Sequence, residues 1–283
     1  MARVLMPIPR CDFDPTETAI PWHVLTARGH EVVFATPDGA AGAADELMLT
    51  GEGLDVWGFL PLLRKLILVG GVLRANADAR AAYAAMRQSE AFQSPLKWEA
   101  LDAVQFDAVL FPGGHRARGM REYLESPVLQ EIAVEAFAQN MPVGAICHGV
   151  VVLARSVDPH TNRSVLYGRK TTALTWKLEG AAQAIAGVTR FWDRHYYRTY
   201  RDPPGKTAGF MSVEQEVTRA LAKPDDFQDV PTDDPHIKPR TSGTVRDSDA
   251  DLSSGFVVRD GAYVSARWPG DAHAFAHAFA DML

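Results

Sequence analysis

The sequence predicts an α/β protein, a doubly wound and mainly parallel sheet with helices on both faces, carrying two insertions. Two observations predict it. Short, nearly continuous apolar runs alternate with helix-patterned segments, as strands covered on both faces require. The runs also end in turns rich in proline and glycine, and ligands of such sheets bind beyond the carboxyl ends of the strands.

The first unit reads strand, helix, strand at residues 3–8, 15–28 and 31–36. Pro15, Thr16 and Glu17 supply first-turn chemistry for the helix, and Gly29 stands where a left-handed C-cap residue is favoured. From 54 to 102 the pattern changes to a run with Trp57, Phe59 and Leu60 and then an Ala-rich helical stretch at 75–86, which we read as a helical insertion. Residues 107–111 form the next buried strand, closed by Pro112-Gly113-Gly114. Ser126 then caps a helix with Pro127 at its first position and Leu129, Ile132, Ala133, Ala136 and Phe137 on its buried side. The chain turns at Asn140, and 142–146 is a strand followed directly by a helix at 149–154. Residues 194–254 read as a second, loop-rich insertion, with 224–251 as loop or arm. A hairpin turning at Asp260-Gly261 and a helix over about 271–282 close the chain.

Composition excludes several function classes. With 283 residues, 47% hydrophobic and 23% charged, the chain has the material for a large core and is no disordered polypeptide. Lys plus Arg number 29 against 35 Asp plus Glu, and the net charge of −6 argues against nucleic acid as a partner. The longest uncharged apolar stretch, 66–73, is far short of the roughly 20 residues of a membrane span, so no membrane partner is expected. The apolar run at 4–8 is too short for a secretory signal, which leaves a cytoplasmic location as the expectation. Two cysteines make neither a disulfide framework nor a Cys-clustered zinc site.

No cofactor or metal is expected. Gly205-Lys206-Thr207 lacks the upstream glycine of a phosphate loop, because Tyr200 occupies that position. His273 and His277 have helical spacing compatible with a metal but no nearby carboxylate motif, and read as helix-surface residues. Arg190, Arg194, Arg198 and Arg201, interleaved with Tyr196, Tyr197 and Tyr200, read as a surface or subunit contact.

The chemistry concentrates at Ala145-Ile146-Cys147-His148-Gly149, between a buried strand and a helix. A nucleophile on such a tight turn needs small neighbours, and the helix N-terminus behind it favours thiolate over thiol. The alternative is a buried cysteine acting as a small hydrophobe. Gly113, Gly114 and His115 end the neighbouring strand, where backbone amides would form an oxyanion hole with the amide of His148. Cys11, beyond the first strand, is either an unpaired loop cysteine or a resolving thiol for Cys147.

Three motifs in register, Glu17-Thr18-Ala19-Ile20-Pro21, Phe111-Pro112-Gly113-Gly114 and Ala145-Ile146-Cys147-His148-Gly149, resemble the ThiJ/PfpI superfamily over residues 1–50 and about 104–192. The resemblance implies a flavodoxin-like, class I glutamine amidotransferase-like fold and a homodimer. It makes Glu17 the carboxyl that tunes Cys147, and His148 the general base of hydrolytic relatives. Between Gly168 and Lys177 neither carboxylate nor His stands where relatives place the acid that orients this His, leaving Glu179 and Asp193 as substitutes. The expected catalytic residues are therefore Cys147, His148 and Glu17.

The resemblance implies a cofactor-independent cysteine enzyme acting on a small carbonyl or amide substrate, as a glyoxalase-III-like lyase or a hydrolase. A non-enzymatic stress protein, redox sensor or holdase is the alternative. Substrate identity is expected to reside in the insertions.

Overall fold

The computed structural model describes residues 1–283 and is built around a seven-stranded sheet. Its strands are β1 (Arg3–Pro7), β2 (Glu31–Thr36), β3 (Leu96–Lys97), β4 (Ala108–Phe111), β5 (Val143–Ile146), β6 (Val257–Asp260) and β7 (Tyr263–Ala266). They lie in the order β6-β7-β5-β4-β1-β2-β3. Every neighbouring pair is parallel except β6 and β7. The longer helices are α1 (Pro15–Ala27), α2 (Ala77–Met86), α3 (Ala117–Leu124), α4 (Pro127–Ala138), α5 (Gly149–Arg155), α6 (Trp176–Thr189), α7 (Val213–Ala220) and α8 (Ala272–Ala280).

The sheet is apolar on both faces because side chains alternate along each strand. Val4 and Met6 of β1 join a core with Ile20 and Val24 of α1, Tyr83 and Met86 of α2, and Phe275 and Phe279 of α8. Leu5, between them in sequence, points the other way into a core with Tyr123 of α3, Ile132 of α4, Val151 of α5 and Val217 of α7. The lack of a side chain at Gly144 of β5 lets α8 approach closely, since a Cβ there would stand 2.8 Å from the Phe279 ring.

Local signals place the helix ends. The Asp14 carboxylate accepts from the amides of Thr16 (2.8 Å) and Glu17 (3.1 Å), capping α1 immediately before Pro15. Ser126 caps α4 as expected, accepting from Leu129, and Asn140 turns the chain at φ 51°. Gly29 follows α1 at φ 80°.

Several expectations are corrected. Residues 54–68 form turns rather than helix, α2 packs against α1, and β3 joins the edge of the central sheet, so the segment 54–102 ends inside that sheet. The hairpin pairs Asp260 with Tyr263, moving its two-residue turn to Gly261-Ala262. The second insertion contains α7, packed on α5, where Ser212-Val213-Glu214-Gln215 is a capping-box pattern legible in the sequence.

Residues 224–251 are no projecting arm. Phe227 pairs with Thr171, and the Asp247 carboxylate accepts from the amides of His273 (3.2 Å) and Ala274 (2.7 Å) on α8. His273 is accordingly buried against Asp247, not on the helix surface, and His277 meets Asp249 at 2.7 Å. The arginine and tyrosine run is also largely internal. Arg190 bonds the Gly53 carbonyl and Asp193, Arg198 pairs with Glu179 (3.2 Å) and Asp202 (2.9 Å), and Tyr196 and Tyr197 are buried; Arg194 and Arg201 stay exposed.

Candidate active site

Beyond the carboxyl ends of β1, β4 and β5 lies a cavity of about 280 Å³. Glu17, Gly114, His115 and Cys147 all line it, so the fold brings together residues from three separate segments of the chain. Asp14 and Arg246 also line it, and neither was singled out from the sequence. Asp14 had a signal, an aspartate directly before the proline of a helix start; Arg246, in a loop of the second insertion, had none.

Cys147 sits on the turn between β5 and α5 at φ 57°, a left-handed conformation that few non-glycine residues adopt. Its amide donates to the Ala266 carbonyl of β7 at 3.0 Å, which ties the strained residue to the sheet. Small neighbours are required, as expected. A Cβ at Gly149 would stand 2.1 Å from the Phe111 carbonyl oxygen, and one at Gly113 would stand 2.6 Å from Glu17 Oε2 and 2.9 Å from the His148 nitrogen.

Glu17, in the first turn of α1, is completely buried with its carboxyl toward Cys147. Neither carboxyl oxygen meets a partner in full hydrogen-bond geometry, so its contacts with the Cys147 thiol and the Gly113 amide are loose. Burial, reinforced by the neighbouring Asp14 charge, pushes the Glu17 carboxyl well above its ordinary range. The thiol is pushed well up too, first by burial and then by Glu17 and Asp14. That corrects the expectation of a resting thiolate. The His148 amide at the helix start does favour thiolate, but desolvation of a residue only 5% exposed outweighs it.

Gly113 turns out to serve Glu17 rather than an oxyanion. Its amide is directed at the carboxyl, and its carbonyl accepts from the Asp14 amide at 2.9 Å. Gly114 and His115 face the cavity instead. The His115 ring is wedged between Tyr196 and Tyr197, with centroids at 4.7 and 4.6 Å, and burial lowers it to about 4, so it is neutral at pH 7.

His148 Nδ1 lies 3.5 Å from the Cys147 sulfur, but His148 does not line the cavity. Burial lowers it to about 3. No carboxylate lies within 4.0 Å of its ring nitrogens; Glu179 is held by Arg198 and by the Val213 amide (3.0 Å), and Asp193 by Arg190. The substitute acids are therefore engaged elsewhere, and a His–acid relay is not assembled. Cys11 lies outside the cavity lining, next to Asp12 at 3.7 Å, and both cysteines are free.

Comparison with known proteins agrees with this fold. A model of the ThiJ/PfpI family-like proteins matches residues 8–208. A curated relative, a glutathione-independent glyoxalase of Schizosaccharomyces pombe, is 28% identical over 126 residues, covering 41% of this chain and 51% of that protein. The chain thus spans about half the length of the curated relative it matches. The Francisella tularensis Rapid Encystment Protein of 24 kDa superposes with a TM-score of 0.59 at 15% identity, covering 100% of this chain and 99% of that one. Glyoxalase III from Candida albicans superposes with a TM-score of 0.56 at 17% identity, covering 99% and 97%. At these identities the structural likeness shows the shared fold.

Proposed function

This chain belongs to the ThiJ/PfpI-like family, and from that premise we propose that it is a cysteine-dependent enzyme of the glyoxalase III type, converting a 2-oxoaldehyde and water to a 2-hydroxy acid. The observation that carries the reading is Cys147, held at φ 57° on a strand-to-helix turn against the buried carboxyl of Glu17 at one end of a cavity. The names of the Schizosaccharomyces pombe relative and the Candida albicans neighbour support it.

The protonation states suit the chemistry. Burial, and then each other's charge, makes both Glu17 and Cys147 resist ionising, so the pair gives up its first proton only above the ordinary carboxylate range and the second more reluctantly still. Glu17, the intrinsically stronger acid, ionises first, and then takes the thiol proton as sulfur adds to the aldehyde carbon. In the resulting thiohemiacetal the same carboxylate, having passed its proton to the new alkoxide, removes the hydrogen from that carbon and returns it to the neighbouring one, while the hydroxyl proton crosses to the former ketone oxygen and the first carbon becomes the carbonyl. The product is a thioester of the 2-hydroxy acid. Water releases the acid and restores the thiol, with no net oxidation and no outside reductant.

The test is turnover of methylglyoxal to lactate by wild type, Cys147→Ala and Glu17→Gln across pH. We expect Cys147→Ala to fall to background and Glu17→Gln to lose about 10²–10⁴-fold. The wild-type acid limb should lie above the ordinary carboxylate value of 4.5, because deprotonated Glu17 is the working form. Wild-type turnover that survives in Cys147→Ala sinks the reading.

One observation favours a holdase as the second reading. Between Val56 and Val72 large apolar side chains face solvent, with Leu62 95% and Leu68 63% exposed. A holdase would keep its activity in Cys147→Ala and lose it in Leu62→Ser with Leu68→Ser.

A further inference from the structure

The reacting groups use only one end of the cavity. Cys147, Glu17, Asp14 and His115 cluster there, while Met48, Val72, Leu174, Leu178, Ile185 and Trp268 make up much of the remaining wall. At about 280 Å³, the space approaches the roughly 300 Å³ at which pockets enclose drug-sized ligands. A three-carbon substrate would leave most of it to water against apolar walls, where water makes few hydrogen bonds.

Arg246 is the second observation. Its guanidinium lies in the cavity lining, donates through Nη2 to the Leu73 carbonyl at 3.0 Å, and stands over the Trp268 ring at 5.7 Å. No carboxylate lies within 4.0 Å of it, although Asp14, Glu17 and Asp247 act on it from farther off, as does the Tyr197 hydroxyl. A half-buried cation in the cavity lining with a single donor taken, at the Leu73 carbonyl, has donors left to receive an oxygen of a ligand.

Resting on the reading of the site as one for 2-oxoaldehydes, we propose that the preferred substrate bears an apolar substituent much larger than methyl. This group packs on Met48, Leu178 and Ile185, while Arg246 holds the ketone oxygen next to the aldehyde attacked by Cys147. When Glu17 takes the hydrogen of the thiohemiacetal carbon as a proton, the bonding pair moves into a new carbon–carbon double bond, and the ketone oxygen gains the negative charge. Arg246 stabilises that oxygen until Glu17 delivers the proton to the former ketone carbon and the thiohemiacetal hydroxyl proton crosses to the oxygen. Arg246 is therefore a binding residue whose effect grows as charge develops.

The experiment compares kcat/KM of the full chain on methylglyoxal and on 2-oxooctanal, which share the reacting head and differ only in the alkyl chain. We expect a preference of about tenfold or more for 2-oxooctanal, the range that apolar pocket contacts support. Leu178→Ser with Ile185→Ser should bring the ratio toward one, and Arg246→Met should lower kcat on both aldehydes, with partial rescue by added guanidinium. Equal or reversed preference in an active wild type overturns this proposal alone. A fall in Arg246→Met confined to KM, or lacking any guanidinium rescue, overturns the role of Arg246. Absence of turnover on both aldehydes, or its survival in Cys147→Ala, removes the underlying reading instead.

Discussion

The floor of the cavity is made of strand ends held in register by the sheet, whereas its roof is assembled from segments far apart in the chain that no ladder connects. On the floor, Cys147 is tied to β7 through the Ala266 carbonyl, and Gly113 and Gly149 leave no room for even a methyl group. On the roof, Arg198 holds the lining residue Glu179 and pairs with Asp202, and Arg246 reaches Leu73. The contrast teaches that strain at the nucleophile is maintained by backbone packing, while the shape of the substrate space depends on a few arginine side chains. A floor of this kind tolerates little substitution, and a roof of this kind can be recut without disturbing the chemistry below it.

The largest expected effect would come from filling the floor. In Gly149→Ala the new methyl group meets the Phe111 carbonyl oxygen at 2.1 Å, and that oxygen belongs to the central sheet. We expect a loss of about 3 kcal/mol or more, at the upper end of what overpacking costs because the backbone oxygen cannot give way, read as a large fall of the urea midpoint. A near-normal midpoint would break the picture of a rigid floor.

Next comes the dependence of stability on pH. Glu17 has a folded-state pKa raised above its unfolded value, so its contribution is fully present below about 4.5, its ordinary value, and is lost as pH rises through the raised one. Glu17→Gln removes that loss. Its urea midpoint should therefore overtake that of wild type as pH is raised from 5 to 8, and a gap that shrinks over this range would contradict a buried, desolvated carboxyl.

The smallest effect sharpens the comparison from the roof side. Gly187 lies exposed within α6, and a Cβ built there meets nothing within 4 Å. Gly187→Ala should raise stability by about 0.5–1 kcal/mol, because alanine loses less backbone freedom on forming a helix, with kcat/KM unchanged. Thermal unfolding and the methylglyoxal assay check both halves of this expectation.

Legibility followed the range over which each signal acts. The elbow could be read because a left-handed Cys147 between small neighbours is a condition on adjacent residues, and the capping of α4 by Ser126 is another. Glu17 was reached only through resemblance, since a first-turn glutamate looks like a solvated helix start until the fold buries it. The thiolate was misjudged because the sequence displays the helix start behind Cys147 but not the depth at which the sulfur is buried. The interior of the arginine and tyrosine run was misjudged for the same reason: charged and aromatic residues look like surface when the carboxylates that pair with them lie elsewhere in the chain.

By itself the sequence determined the alternation of strands and helices, the turn that strains Cys147, and the glycines that permit it. These depend on torsion angles, side-chain alternation and capping, which act across a few residues. Only the tertiary structure decided that Glu17 meets Cys147, that His148 has no acid, and that Arg246 closes on the same cavity. Those outcomes depend on distance and desolvation between segments that the chain order separates, and both come into being only when the sheet brings its strand ends to one side.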